Sequence, residues 1–142
     1  VNNYRDWGIQ LGRRFRSLKL WFVLRSFGVS GLRKIIKKHI ELAQYFAEKL
    51  SAENGFEIMA PHPLSVVCFR FKPRAGISQE KIDAFNAGLL EKLNSSGKLY
   101  LSHTKLGKDF VIRMAIGQTG TEKKHVKAAL DTIIKTAKSM SK

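Results

Sequence analysis

Cysteine is almost missing from this sequence: Cys68 is the single one among 142 residues, so no disulfide can form within the chain. That usage fits a reducing setting, and a cytoplasmic location is expected. Long hydrophobic runs are missing too. None approaches the roughly 20 residues that a membrane span needs, so no membrane partner is expected. The opening Val1-Asn2-Asn3-Tyr4 has no basic-then-apolar organisation and no Met, so it reads as the interior of a longer polypeptide rather than as a signal peptide. Acidic residues are scarce, 11 against 26 Lys and Arg, which leaves a net charge of +15. Charge of that size alone suggests an anionic partner. The cations are spread along the whole chain, however, from Arg13, Arg14 and Arg33 to Lys105, Lys123 and Lys135. No zinc-finger spacing or aromatic RNA-binding signature accompanies them, so nucleic acid is not an expected partner. Phosphate-binding loops, dinucleotide fingerprints and nucleophile elbows are also absent. The histidines, His39, His62, His103 and His125, lie far apart, and no metal site is expected.

What is present is a series of amphipathic segments. Leu11, Phe15, Leu18 and Phe22 recur at helical spacing, and Phe27-Gly28-Val29-Ser30-Gly31 interrupts them. A second helix is predicted from about Ser30 to Leu50, with Leu32, Ile36, Ala43, Phe46 and Leu50 on its apolar face. Phe56 to Met59 reads as a short strand, and Pro61-His62-Pro63 as a connection that cannot be helical. Leu64 to Phe71 is the strongest strand, with Arg70 on one face and Phe69 and Phe71 on the other; Cys68 within it is expected to be a small buried hydrophobe. A helix capped by Ser78 follows, then strands from Leu99 to Thr104 and from Phe110 to Ile116. Thr119 and Glu122 have capping-box spacing before a last helix carrying Val126, Leu130, Ile133 and Ala137. The expected fold is α+β, an antiparallel sheet of about four strands covered by about three helices. The expected division is residues 1–27, a helical remnant of a preceding domain, and residues 28–142, a small C-terminal domain.

No acid–base pair stands out, so these residues alone do not describe a self-sufficient enzyme. His39 and His125, among lysines on helices, are expected at the surface, whereas His103 at a strand end is a candidate for a substrate pocket. The segment from Asp6 to Phe22 sets Arg13, Arg14, Arg16 and Lys19 among Trp7, Phe15, Trp21 and Phe22. That mixture suits neither a solvated helix nor a plain core helix. It favours guanidinium groups pairing with carboxylates or carbonyls across an interface.

This segment resembles D-W-x-I-x-L-G-R-R-F-R-S-L-K-L-W-F of the group II pyridoxal-phosphate-dependent amino-acid decarboxylases, close to the aromatic-L-amino-acid decarboxylases. Phe27-Gly28-Val29, Gly31-Leu32, Lys38-His39, Val67 to Arg70 and Phe110 to Ile116 are similar to later family segments in the same order. The resemblance covers essentially the whole chain. It implies the C-terminal portion of a fold-type-I enzyme that uses pyridoxal 5'-phosphate, is a homodimer with active sites at the subunit interface, and converts an aromatic L-amino acid to its amine and CO2. The cofactor lysine would lie upstream of Val1, leaving no catalytic residue in this fragment. The resemblance also implies that Gly12 lies near the neighbouring subunit's cofactor and the substrate ring, where a missing side chain leaves room for a DOPA-, tryptophan- or tyrosine-like substrate. The alternative is that Gly12 only allows tight packing at a helix start. Arg13, Arg14, Arg16, Trp21 and Arg113 are expected in structural or interface roles, and the partners are the chain's own N-terminal large domain, a second subunit and the amino-acid substrate. Competing readings are an isolated dimerisation or interaction domain without activity, and a basic nucleic-acid binder.

Overall fold

The computed structural model describes residues 16–74 and 76–141. The chain divides into two compact units, Val1–Ile35 and Ile36–Lys142. Gly12, Arg13 and Arg14 lie outside the described residues, as does the side chain of Arg16.

Helix α1, Arg16–Ser51, begins in the first unit. Gly28, at φ 63 and ψ 174, interrupts it where the sequence predicts a break, in a conformation that a residue with a side chain rarely adopts. The first part of this helix carries Leu18, Leu20, Trp21, Phe22, Val23, Leu24 and Phe27, all exposed. Consecutive positions of a helix point in different directions, so this segment is apolar nearly all round. Helices of that kind are normally buried.

In the second unit, β1 (Phe56–Ile58), β2 (Val66–Phe71), β3 (Ser102–Leu106) and β4 (Asp109–Ala115) form one sheet in the order β1-β2-β4-β3. Every neighbouring pair is antiparallel. Cross-strand partners share a face, so the register sorts the side chains into two sets. One set comprises Phe56, Ile58, Val67, Phe69, Phe71, Phe110, Ile112 and Met114, all members of the core cluster or packed against it. The cluster is completed by Phe46 and Leu50 of α1, by Leu89 and Leu93 of α2 (Gln79–Ser95), and by Val126, Leu130 and Ile133 of α3 (Lys123–Met140). Phe46 meets Phe69 edge-on at 5.6 Å, a favoured aromatic geometry. The opposite set comprises Glu57, Val66, Cys68, Arg70, Ser102, Thr104, Val111, Arg113 and Ala115. This is the expected α+β arrangement.

Two features fix how α2 meets the sheet. Asn86 is completely buried; its Oδ1 accepts from the Phe71 N–H at 2.8 Å, and its Nδ2 donates to the carbonyls of Phe71 and Ile82, each at 2.8 Å. Beside it, Asp83 Oδ1 accepts from the Phe110 N–H at 3.1 Å. Side chains of α2 thus take over backbone pairing at the ends of β2 and β4. At the β1 end, Gly55 has φ +88, and a Cβ there would come within 2.7 Å of the Phe71 ring, so only glycine fits.

Several local expectations are corrected. Strand β3 starts at Ser102 rather than Leu99, because the Asn94 side chain occupies both the N–H (2.8 Å) and the carbonyl (2.9 Å) of Leu101. Thr119 does not cap α3. Glu122 is the N-cap residue, and its N–H donates to His125 Nδ1 at 3.1 Å. Ser78 stands at the N-cap of α2, but its side chain makes no capping bond. His39 is buried, not at the surface, and its Nε2 lies 3.1 Å from the Gln118 carbonyl oxygen. Cys68 is only half-buried, because its place in the alternation turns it away from the core cluster.

Candidate functional site

The candidate residues that the structure describes fall in three places. Trp21 belongs to the first unit. Its side chain is exposed and meets Phe22 edge-on at 5.1 Å, while the Arg25 guanidinium lies over its ring at 5.8 Å. Ser17, Leu18, Leu20, Trp21 and Leu24 line one apolar concavity on this helix. An indole flanked by a cation on one side and open apolar surface on the other suits an interface better than solvent.

His103 lies in β3, opposite Ile112 of β4. It is exposed and stacks on Phe110, with ring centroids 4.8 Å apart and planes 14° from parallel. No acid or nucleophile hydrogen-bonds to it among the described residues, so the geometry gives it an aromatic contact and no proton partner.

Arg113 lies in the middle of β4, between Cys68 of β2 and Ser102 of β3, on the face opposite the core cluster. It is half-buried. Among the described residues it makes no ion pair, whereas Arg70 on the same face makes two. Arg70 Nε donates to Glu57 Oε2 at 2.7 Å, and Nη1 lies 3.4 Å from Asp109 Oδ2. The same Nη1 donates to Gln79 Oε1 at 3.4 Å, and Gln79 Nε2 in turn donates to Asp83 Oδ1 at 2.7 Å. Arg70 therefore ties β1, β2, β4 and α2 together. Its place in the strand alternation is readable in the sequence; its partners, spread over three other elements, are not.

Within the second unit, His103 and Arg113 lie on opposite faces of the sheet and share no reactive centre. Among the described residues no group of His, Cys, Asp or Glu is arranged to hold a metal ion, and no helix is long and apolar enough to cross a membrane. The clear electrostatic perturbation is at Glu122, where the Lys124 ammonium, 2.9 Å away, hydrogen-bonds the carboxylate and holds its pKa below the ordinary range.

Known proteins supply the context that this geometry lacks. The pyridoxal-dependent decarboxylase conserved domain matches residues 1–72. The chain is 50% identical over 132 residues to tyrosine decarboxylase 4 of Petroselinum crispum, covering 91% of this chain and 26% of that protein. It is 47% identical over 129 residues to tryptophan decarboxylase 2 of Oryza sativa subsp. japonica, again covering 91% of this chain and 26% of the relative. The solved structure of Oryza sativa TDC with PLP and tryptamine superposes on the whole chain with a TM-score of 0.85 at 36% identity, over 30% of its own length. The chain thus spans about a quarter of the length of the relatives it matches. The match includes the arginine-rich segment, α1 and the first two strands, and pyridoxal phosphate is the cofactor of such proteins. This chain belongs to the pyridoxal-dependent decarboxylase family.

Proposed function

We propose that the chain is the C-terminal part of a homodimeric decarboxylase that converts an aromatic L-amino acid to its amine and CO2. The observation that carries this reading is the family match over residues 1–72, together with tyrosine and tryptophan decarboxylases among the relatives. In this reading residues 1–27 end a large cofactor-binding domain, and residues 28–142 are the small domain beside it. Gly12 faces the ring of the substrate across the subunit interface. Arg13, Arg14, Arg16 and Trp21 hold that interface.

Pyridoxal phosphate, when bound, supplies an electron sink for the bond to the departing carboxyl group. The described residues do not fit that group. Each lysine among them is exposed except the half-buried Lys72, and none has the desolvated setting of a lysine that forms an imine. No step is therefore assigned to the described residues. Their contribution is a rigid small domain, with Arg113 positioned away from the chemistry. An arginine gripping the departing carboxylate would stabilise the ground state and slow its loss.

A second reading, an interaction domain without activity of its own, draws support from the apolar helix surface around Trp21, 53% exposed, and Phe22, 55% exposed. An amine-release assay separates the two. The 142-residue chain with added pyridoxal phosphate is expected to release no amine from tyrosine, DOPA or tryptophan, while a polypeptide carrying the preceding domain is expected to do so. If the longer polypeptide were inactive on all three, the decarboxylase reading would fall. In the longer polypeptide, Gly12→Ser is expected to lower kcat/KM for tryptophan more than for smaller rings; unchanged relative rates would remove Gly12 from the pocket.

A further inference from the structure

The sequence holds one Asn-Gly pair, Asn54-Gly55, and the fold sets it in the turn that joins α1 to β1. The turn runs from Glu53 to Phe56 and is closed by the Phe56 N–H donating to the Glu53 carbonyl at 3.2 Å. Gly55 stands in its third place at φ +88, the turn form that calls for glycine there. Asn54 is exposed, and its side-chain amide has no hydrogen-bond partner among the described residues. Neither the Asn54 carbonyl nor the Gly55 N–H is hydrogen-bonded among them. The peptide plane between these two residues can therefore turn without breaking a bond of its own, and glycine accepts either sign of φ. That rotation brings the Gly55 nitrogen to the side-chain carbonyl carbon of Asn54, with no side chain on Gly55 to block it. Two other asparagines are held differently. Asn86 is completely buried with its amide engaged, and Asn94 bonds both backbone groups of Leu101.

We propose that Asn54 is a site of spontaneous covalent modification, where the neighbouring main-chain nitrogen converts the side-chain amide to an imide and then to isoaspartate and aspartate. Asparagine is among the thermolabile residues, and this site is independent of the decarboxylase reading. The Gly55 nitrogen gives its proton to hydroxide and forms a bond to Asn54 Cγ; the Cγ–Nδ2 bond breaks and ammonia leaves. Water then opens the ring at either carbonyl. Opening at the main-chain carbonyl of residue 54 gives isoaspartate, with the chain routed through Cγ and a methylene added to the backbone. Opening at Cγ gives aspartate and leaves the backbone as it was. The fold makes these products unequal. Gly55 is pinned from the β2 side: its carbonyl accepts from the Lys72 N–H at 2.7 Å, and its Cα lies close under the Phe71 ring. A longer backbone must then be absorbed on the α1 side, where Glu53 closes the turn and pairs with Lys138 at 2.7 Å. Isoaspartate therefore opens the turn and loosens β1, whereas aspartate adds only a charge.

The test incubates the folded chain in mildly alkaline and in mildly acidic buffer. Chromatography and mass spectrometry follow the peptides containing Asn54 and Asn94, and methyl transfer by an isoaspartyl methyltransferase reads the branched product. In alkaline buffer the Asn54 peptide is expected to convert at least about tenfold faster than the Asn94 peptide, with isoaspartate the larger product. Asn54→Gln is expected to abolish the conversion, because its longer side chain would have to close a larger ring. The isoaspartate form is expected to melt about 4 °C below the fresh chain, and freshly prepared Asn54→Asp within about 1 °C of it. Equal conversion of Asn54 and Asn94, or conversion of Asn54 only once urea has unfolded the chain, would overturn the site. Conversion to isoaspartate with an unchanged melting temperature would overturn the unequal effect of the two products.

Discussion

Asn86 offers the sharpest test of how the small domain holds together. Replacing it by leucine keeps the volume close but removes one acceptor and two donor hydrogens from a site with no solvent access. The N–H and carbonyl of Phe71 then lose partners at 2.8 Å and find no water. A buried backbone group left unpaired costs about 1–3 kcal/mol, so two of them, less the benefit of burying a leucine, give a loss of about 3 kcal/mol. For a chain of this size that corresponds to a melting temperature lowered by about 10 °C. Thermal unfolding followed by far-ultraviolet circular dichroism measures it, and a shift under about 2 °C would refute the account. Asn86→Asp tests the same geometry through protons. The new carboxyl keeps the acceptor for the Phe71 N–H but turns an oxygen toward the carbonyls of Phe71 and Ile82. Only a protonated carboxyl can donate there, so its pKa in the folded state is raised. The folded state then holds a proton that the unfolded state releases above about pH 4, and stability falls as pH rises from there. The deficit of the Asp variant relative to the parent is therefore expected to grow between about pH 4 and pH 7. A deficit independent of pH would mean that the carbonyls do not face the introduced group.

Two further outcomes follow from the charged groups. Arg70→Met leaves Glu57 and Asp109, 39% and 32% exposed, without their shared cation. Screening at that exposure limits the loss to about 1–2 kcal/mol in urea unfolding, and Glu57→Gln is expected to lose less. Equal losses would mean that Arg70 contributes nothing beyond a single pair. At the start of α3 the Glu122 carboxyl has a lowered pKa because of Lys124, so its contribution is complete above the ordinary carboxylate range and disappears as pH falls through the lowered value. Fraying of the first turn of α3, read from amide chemical shifts, is expected only in acid; Lys124→Ala is expected to move its onset to higher pH.

The architecture was readable wherever a period was unambiguous. Alternation in Val67 to Phe71 assigned Phe69 and Phe71 to the core and Arg70 to the other face, as observed. Glycine chemistry marked the break at Gly28. What escaped the sequence was long-range. His39 looks solvated among lysines, yet its ring reaches a carbonyl 79 positions away. Asn94 looks like a helix terminator, yet it pairs with both backbone groups of Leu101 and so delays β3. Asn86 carries no local sign of its role at all. The candidate site was legible only through the resemblance, because no spacing of acids, bases or ligands in the sequence marks it; Gly12, Arg13 and Arg14 stand outside the described residues.

The strand order also sets a schedule for folding. Strands β1 and β2 are separated by a short loop, and β3 and β4 by a two-residue turn, so both hairpins close cheaply and early. The central β2–β4 seam joins segments separated by the whole of α2, and its closure is the slow event. Asn86 and Asp83 sit at the end of that seam and stitch helix to strand as it forms. Changes there are therefore expected to slow folding, while changes at the outer strands mainly hasten unfolding. A nascent chain that has made β1, β2 and α2 but not β4 would keep one edge of β2 unpaired. The interval before β4 emerges is when this domain is most exposed to wrong partners.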